Sequence, residues 1–202
     1  MNHIDLLDLQ LPLSLRPNAP VTDDQLIRFS DRNKPYRFER NKEGEIIVMT
    51  PVGGIGGTNE AFVASMLFTW AEGDDKGIGF ASNTGFNLPD GSCLSPDAAW
   101  LPLTRWDSLT LAEQTGFPPV CPDFIIEIRS RSDSRRLLEA KMQLWLDNGA
   151  ELAWLIDPID GEVVIYKPDQ APAVLVKPEL VEASAPVSGF VLRASRLWVT
   201  RT

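Results

Sequence analysis

The stretch Asp123-Phe124-Ile125-Ile126-Glu127-Ile128-Arg129 decides how the rest of the chain is arranged. Its apolar residues run nearly without a break, the pattern of a strand covered on both faces. Side chains alternate across a strand, so Phe124, Ile126 and Ile128 share one face and Asp123, Ile125, Glu127 and Arg129 the other. Glu127 is thereby taken out of water. A buried carboxylate needs a cation, a metal or a hydrogen-bond donor beside it, because a stranded charge is costly. On this strand alone two readings stand level: a structural pair with Arg129 or another basic group, or a functional carboxylate.

The next segment downstream favours function. Residues 134–148 read as a helix closed by Gly149, a residue suited to the left-handed turn after a helix end. Leu137, Leu138, Leu144 and Trp145 form an apolar stripe, and at about 100° per residue Lys141 falls inside it. A lysine there either snorkels to water or reaches the sheet that carries Glu127.

Upstream, Cys93–Leu101 reads as a second strand. On it Asp97 shares a face with Cys93, Ser95 and Ala99, while Leu94, Ala98 and Trp100 face the other way. Small neighbours leave room above Asp97 for a metal ion and its waters. The competing reading makes Pro96-Asp97 a turn; the apolar run continuing to Leu101 favours the strand. Asp97, Glu127 and Lys141 together form a chemical kit. Two carboxylates suit Mg²⁺ (or Mn²⁺), which takes oxygen ligands and keeps several waters. A lysine can orient or deprotonate water, or stabilise charge in a transition state. These are the parts of metal-dependent phosphodiester hydrolysis.

Composition excludes rival chemistries. The chain has 202 residues, with 44% hydrophobic and 23% charged side chains, proportions that support a packed core. Its single histidine, His3, makes a Ser-His-Asp triad or a His-rich zinc site untenable. Cys93 and Cys121 form no CxxC pair, so free thiols in a reducing compartment are expected. No apolar run suits a membrane helix, and a cytoplasmic location is the expectation.

The remaining chain reads as one mixed α/β domain over 1–202. Thr22-Asp23-Asp24 caps a short helix, and residues 36–40 and 45–49 form a hairpin. Gly53-Gly54-Ile55-Gly56-Gly57 makes a tight loop, with Thr58 as N-cap of a helix over 59–72. Phe62, Val63, Met66 and Trp70 are its buried face; Asn59 points into the same stripe and Glu60 lies on its border. The loop lacks the GK[ST] ending of a nucleotide-binding loop, which leaves it a turn. Strands follow at 79–83, a helical stretch at 109–113, a hairpin of 152–156 with 163–166, and strands at 174–176 and 190–192.

On these residues the chain resembles the PD-(D/E)XK nuclease superfamily, and more closely the Uma-two family, grouped with restriction endonucleases. The resemblance is carried by GFNLPDGSCLSPDAAWL (85–101), CPDFIIEIRSRSD (121–133), KMQLWLDNGAELAWLIDP (141–158) and VVIYKP (163–168). RFERNKEGEIIVMTPVGGIGGTNE (37–60) and GFVLRASRLW (189–198) add weaker support. It implies a restriction-endonuclease-like core: a mixed central β-sheet flanked by helices, with extra N- and C-terminal hairpins or strands. It places Asp97 as the PD aspartate and Glu127 as the acidic residue on the next core strand. Arg129 stands where the superfamily has lysine, and arginine stays protonated at any accessible pH. The resemblance suggests that the lysine has moved to the helix as Lys141, with Arg129 as the rival. It further implies an auxiliary polar group at Asn59 or Glu60, a nucleic-acid partner (DNA first) and a homodimer.

The net charge of −9, from 28 acidic and 19 basic residues, opposes tight non-specific nucleic-acid binding. Arg129, Arg131, Arg135, Arg136 and Lys141 concentrate positive charge beside the expected site. The competing function is a non-catalytic nuclease fold acting as a homodimeric interaction or regulatory module.

Overall fold

The computed structural model describes residues 12–198; His3 lies outside them. The chain opens with β1 (Leu13–Leu15), α1 (Asp23–Arg32), β2 (Arg37–Arg40) and β3 (Ile46–Met49), followed by the long helix α2 (Gly54–Asp74). Then come β4 (Gly77–Ala81), β5 (Phe86–Asn87), β6 (Cys93–Leu94), β7 (Ala98–Pro102), α3 (Leu103–Trp106) and α4 (Leu111–Thr115). The central motif is β8 (Phe124–Ile128), α5 (Arg135–Asp147) and β9 (Leu152–Asp157). The chain finishes with β10 (Glu162–Tyr166), β11 (Ala173–Val176), β12 (Val181–Glu182), β13 (Val191–Leu192) and a 3₁₀ turn at Ala194–Trp198.

The main sheet has the order β11-β10-β9-β8-β7-β4. β8 lies inside it, parallel to β9 and antiparallel to β7, so the sheet is mixed. Every residue of β8 is buried, as its apolar run requires. The parallel step from β8 to β9 needs a crossover, and α5 supplies it, ending at Asn148 with Gly149 at φ +112°. The second hairpin, β9 with β10, pairs as the sequence suggests.

Each face of this sheet has its own core. Ala98, Trp100, Phe124, Ile126 and Trp154 pack with Val63 and Leu67 of α2 and with Phe190 near the C-terminus. Ala99, Ile125, Ala153 and Leu155 pack with Met142 and Trp145 of α5 and with Phe86 and Leu94. The second sheet, β1-β3-β2-β6-β5, lies on the α5 side and is closed by Leu26 of α1 against Phe38, Ile46 and Val48.

Several local expectations need correction. The strand read as Cys93–Leu101 is two strands: β6 belongs to the second sheet and β7 to the main one. The chain changes sheet at Ser95-Pro96, where proline cannot donate to a ladder, so Asp97 shares a strand face with Ala99 but not with Cys93. The α2 helix begins at Gly53 as N-cap, so the glycine run forms its first turn, and the Thr58 hydroxyl donates to the Ile55 carbonyl instead of capping. Its core face is Val63, Ala64, Leu67 and Ala71, leaving Phe62, Met66 and Trp70 half-buried at the flank. Leu137 is 65% exposed, because the buried face of α5 is centred on Met142 and Trp145; Lys141 lies on its edge. The connection from 102 to 121 holds two short helices, the second capped by Thr110 and Glu113.

Candidate active site

The register of β7 with β8 builds the site. The β7–β8 ladder ends at the pair Ala98–Ile126, and Asp97 stands one step before β7, its carboxylate bonded to Arg37 and within the field of Lys141. Hydrogen bonds hold that step: the Asp97 amide donates to the Ile126 carbonyl (3.1 Å), and Asp97 Oδ2 accepts from the Ile128 amide (2.8 Å). Both carboxylates are almost wholly buried, Asp97 at 4% and Glu127 at 3% exposure. The strand-face reading of Glu127 therefore holds, and Asp97 joins it from the bend before β7, through its bonds to Ile126 and Ile128.

Lys141 reaches into this pair across the helix–sheet interface. Its ammonium donates to Glu127 Oε1 (2.9 Å), to Glu39 Oε1 (2.8 Å) and to the Ser95 carbonyl (3.2 Å). Glu127 Oε1 also accepts from the Trp145 indole at 3.0 Å. Trp145 lies one helical turn beyond Lys141, so one face of α5 grips one carboxylate oxygen twice. The second oxygen, Oε2, takes no donor among the described residues.

Two residues that sequence reasoning missed complete the cluster. Arg37 and Glu39 stand at i and i+2 of β2 and so share a face, while Phe38 between them enters the core between the second sheet and α1. Glu39 accepts from Lys141 and from the Ser95 amide (3.0 Å), joining the hairpin to the crossing between sheets. Arg37 Nη1 lies 3.3 Å from Asp97 Oδ1. The signal was present in Arg37-Phe38-Glu39, a charged–apolar–charged alternation within one strand. It went unread because a charged strand face ordinarily meets solvent.

Electrostatics follow from burial. Burial is the largest influence on Glu127; Lys141 opposes it, Asp97 and Glu39 reinforce it, and the carboxyl is pushed up to about 7. Asp97 is also raised, by burial against the pull of Arg37. Burial works against the Lys141 ammonium, yet Glu127 and Glu39 outweigh it and hold its pKa above the ordinary lysine value. The pairing favours the ammonium form of Lys141. Glu60, half-buried on α2, is raised by burial and by Asp97, with Arg37 opposing. Glu60 therefore borders the cluster, whereas Asn59 makes no hydrogen bond to it among the described residues.

Arg129 is not brought to the carboxylates. β8 ends at Ile128, and the Arg129 guanidinium binds Asp157 (2.7 Å) and Asp160 (3.0 Å). Arg135 joins that network through Asp157, Asp160, Glu139 and Glu162. Of the five positive charges expected beside the site, Arg129 and Arg135 are paired here instead. Cys93 and Cys121 are free and buried, and burial pushes both thiols up to about 12. Among the described residues no helix is long and apolar enough to cross a membrane.

The donor set fits a hard divalent cation, being two neighbouring buried carboxylates, of which Asp97 raises Glu127, and Glu127 keeps one oxygen without a donor among the described residues. Among the described residues no three Asp, Glu, His or Cys side chains converge as a metal cluster, so two carboxylates would be the protein's share.

Known proteins can now be set beside this geometry. No curated protein matches the chain. A solved structure described as "a putative nuclease belonging to DUF820" from Anabaena variabilis ATCC 29413 superposes with a TM-score of 0.73. It is 22% identical and the match covers 89% of this chain and 98% of that one, which establishes a shared fold. Residues 23–195, from the start of α1 to the final 3₁₀ turn and including every residue of the cluster, match the Uma2 family, described as "Putative restriction endonuclease". The chain belongs to the Uma2 family.

Proposed function

We propose that this protein is a metal-dependent endonuclease that hydrolyses phosphodiester bonds in DNA. The observation that carries this reading is the two neighbouring buried carboxylates, Asp97 and Glu127, with Lys141 held at 2.9 Å from Glu127. Asp97 and Glu127 would hold Mg²⁺ or Mn²⁺, which when bound there supplies a lowered pKa for water and offsets charge on the phosphoryl group. Lys141 donates hydrogen bonds and cannot accept a proton, because its flanking glutamates keep it charged. Its role is to orient the attacking water and stabilise the developing phosphoryl charge. In the reaction the water oxygen forms a bond to phosphorus as the ester P–O bond breaks, the water giving up a proton to solvent and the leaving oxygen taking one up from it. Glu39 holds the ammonium from the opposite side, and Trp145 fixes the Glu127 rotamer.

Plasmid and single-stranded DNA incubated with Mg²⁺ or Mn²⁺ test this reading. Cleavage is expected from the wild type and should vanish with Asp97→Ala and with Glu127→Gln. Lys141→Met should lose turnover while Arg129→Ala retains it; the reverse result transfers the lysine role to Arg129. Absence of cleavage under every metal and substrate would leave the nuclease fold as an interaction or regulatory module. A homodimer is part of the same reading, and sedimentation at micromolar concentration should give twice the chain mass.

A further inference from the structure

We infer that Arg37, delivered by the N-terminal hairpin, binds the phosphate of the nucleic-acid backbone at this site. The inference rests on the endonuclease reading and adds a substrate-contacting residue to it. Three observations point the same way. First, the bond from Arg37 Nη1 to Asp97 is 3.3 Å, longer than the roughly 2.7–2.9 Å of a well-made charge-assisted bond. Second, Nε is buried without any hydrogen-bond partner among the described residues, and the bond from Nη1 to Asp97 is the guanidinium's single hydrogen bond among them. Buried donors are ordinarily satisfied, and a protein arginine with unused donors calls for an acceptor that the chain does not provide. Third, the side chain keeps 18% of its surface open where Asp97, Glu127 and Glu39 are closed, so it is the more accessible cation of the cluster beside Lys141 at 15%.

The chemistry of the acceptor is set by the donor. A guanidinium offers a planar fork of N–H groups that matches phosphate or carboxylate geometry, and among the described residues no carboxylate oxygen fills it beyond Asp97 Oδ1. If Asp97 turns that oxygen to a cation, Nη1 is released as well, and the whole fork faces the phosphate. The position on β2 is held: Arg37 pairs with Met49 in the hairpin ladder, and Phe38 anchors the strand in the core between the second sheet and α1.

The test uses the whole chain, in Ca²⁺ so that DNA is bound without turnover, and in Mn²⁺ for cleavage. With Arg37→Gln, fluorescence anisotropy of a labelled DNA duplex should show affinity on the order of tenfold weaker. Calorimetric Mn²⁺ affinity should be unchanged or tighter, and Arg37→Lys should recover part of the DNA affinity. Unchanged DNA binding in Arg37→Gln overturns the inference and makes Arg37 only a counter-ion for Asp97. A loss of Mn²⁺ affinity that matches the loss of DNA affinity overturns it too. Should Arg37→Gln fail to fold, the wild-type ¹⁵N resonance of Arg37 Nε, identified by its disappearance in Arg37→Lys, decides. It should shift on titration with the dinucleotide dTpdT in Ca²⁺, and an unmoved resonance at saturation overturns the inference. Wild-type protein that binds the duplex and shifts this resonance but never cleaves would refute the endonuclease reading while leaving Arg37 as a phosphate ligand.

Discussion

Lys141 shows how one residue can serve stability and chemistry at once. Its ammonium bridges two buried glutamates, Glu39 and Glu127, from separate sheets. Removing one partner of a buried ion pair leaves uncompensated charge and costs about 3–5 kcal/mol. Lys141→Met should therefore lower stability in urea denaturation at pH 8 by on the order of 3 kcal/mol, as well as reducing turnover by about 10²-fold or more. The double variant Lys141→Met/Glu39→Gln should regain part of that stability, since one stranded carboxylate is gone. It should regain no turnover. Glu39→Gln alone keeps the shape of the side chain and weakens the grip on the ammonium, so kcat should fall about tenfold with Mn²⁺ affinity unchanged by calorimetry. A fall in Mn²⁺ affinity would make Glu39 a metal ligand instead of a positioning residue.

At the level of elements, β7 and β8 set the spacing of the carboxylates, and the flanking helices set their surroundings. β7 is held on its other side by β4, where Gly77 lies beneath the Trp100 indole. A Cβ at Gly77 would fall 2.1 Å from Trp100 Cε2, far inside contact distance. Gly77→Ala must displace a buried tryptophan, and overpacking of this kind costs about 1–3 kcal/mol. The expected result is a lower urea midpoint with the m-value unchanged. Because Trp100 faces the α2 side and the carboxylates face α5, metal affinity should survive the change.

The whole molecule combines two opposing responses to pH. Glu127 sits at about 7 in the folded chain against an ordinary glutamate value near 4.5, so the folded state holds the proton more tightly there. Linkage then makes the metal-free protein gain stability as pH falls from about 7 toward 4.5, because the folded state binds more protons in that window. Asp157 works in the opposite sense. Burial would raise its carboxyl, but the Arg129 guanidinium and the Asp160 and Ile159 amides outweigh burial and hold it below the ordinary aspartate value. Its contribution is full above that ordinary value and is lost as pH falls through the depressed folded one. Urea midpoints measured in chelator should rise from pH 8 to about pH 5 and fall below about pH 4. A midpoint flat between pH 8 and pH 5 would show that Glu127 is ionised throughout.

The sequence by itself determined the buried strand 124–128, the helix that follows it, both hairpins, and the identity of Asp97, Glu127 and Lys141 as charges in apolar surroundings. Each was legible because it rests on a local period: two along a strand, 3.6 along a helix. Tertiary structure alone decided which charges meet. The sequence cannot show that the chain changes sheet at Ser95-Pro96, since a sheet is defined by partners distant along the chain. That change carries β2 up to the cluster and makes Arg37 and Glu39 part of it, 60 and 102 residues from the Asp97 and Lys141 they contact. It also left Arg129 outside, because β8 ends one residue earlier and Asp157 and Asp160 take the guanidinium. Local patterning fixes which face a side chain occupies, whereas the groups awaiting it across that face are fixed by how the sheets pack.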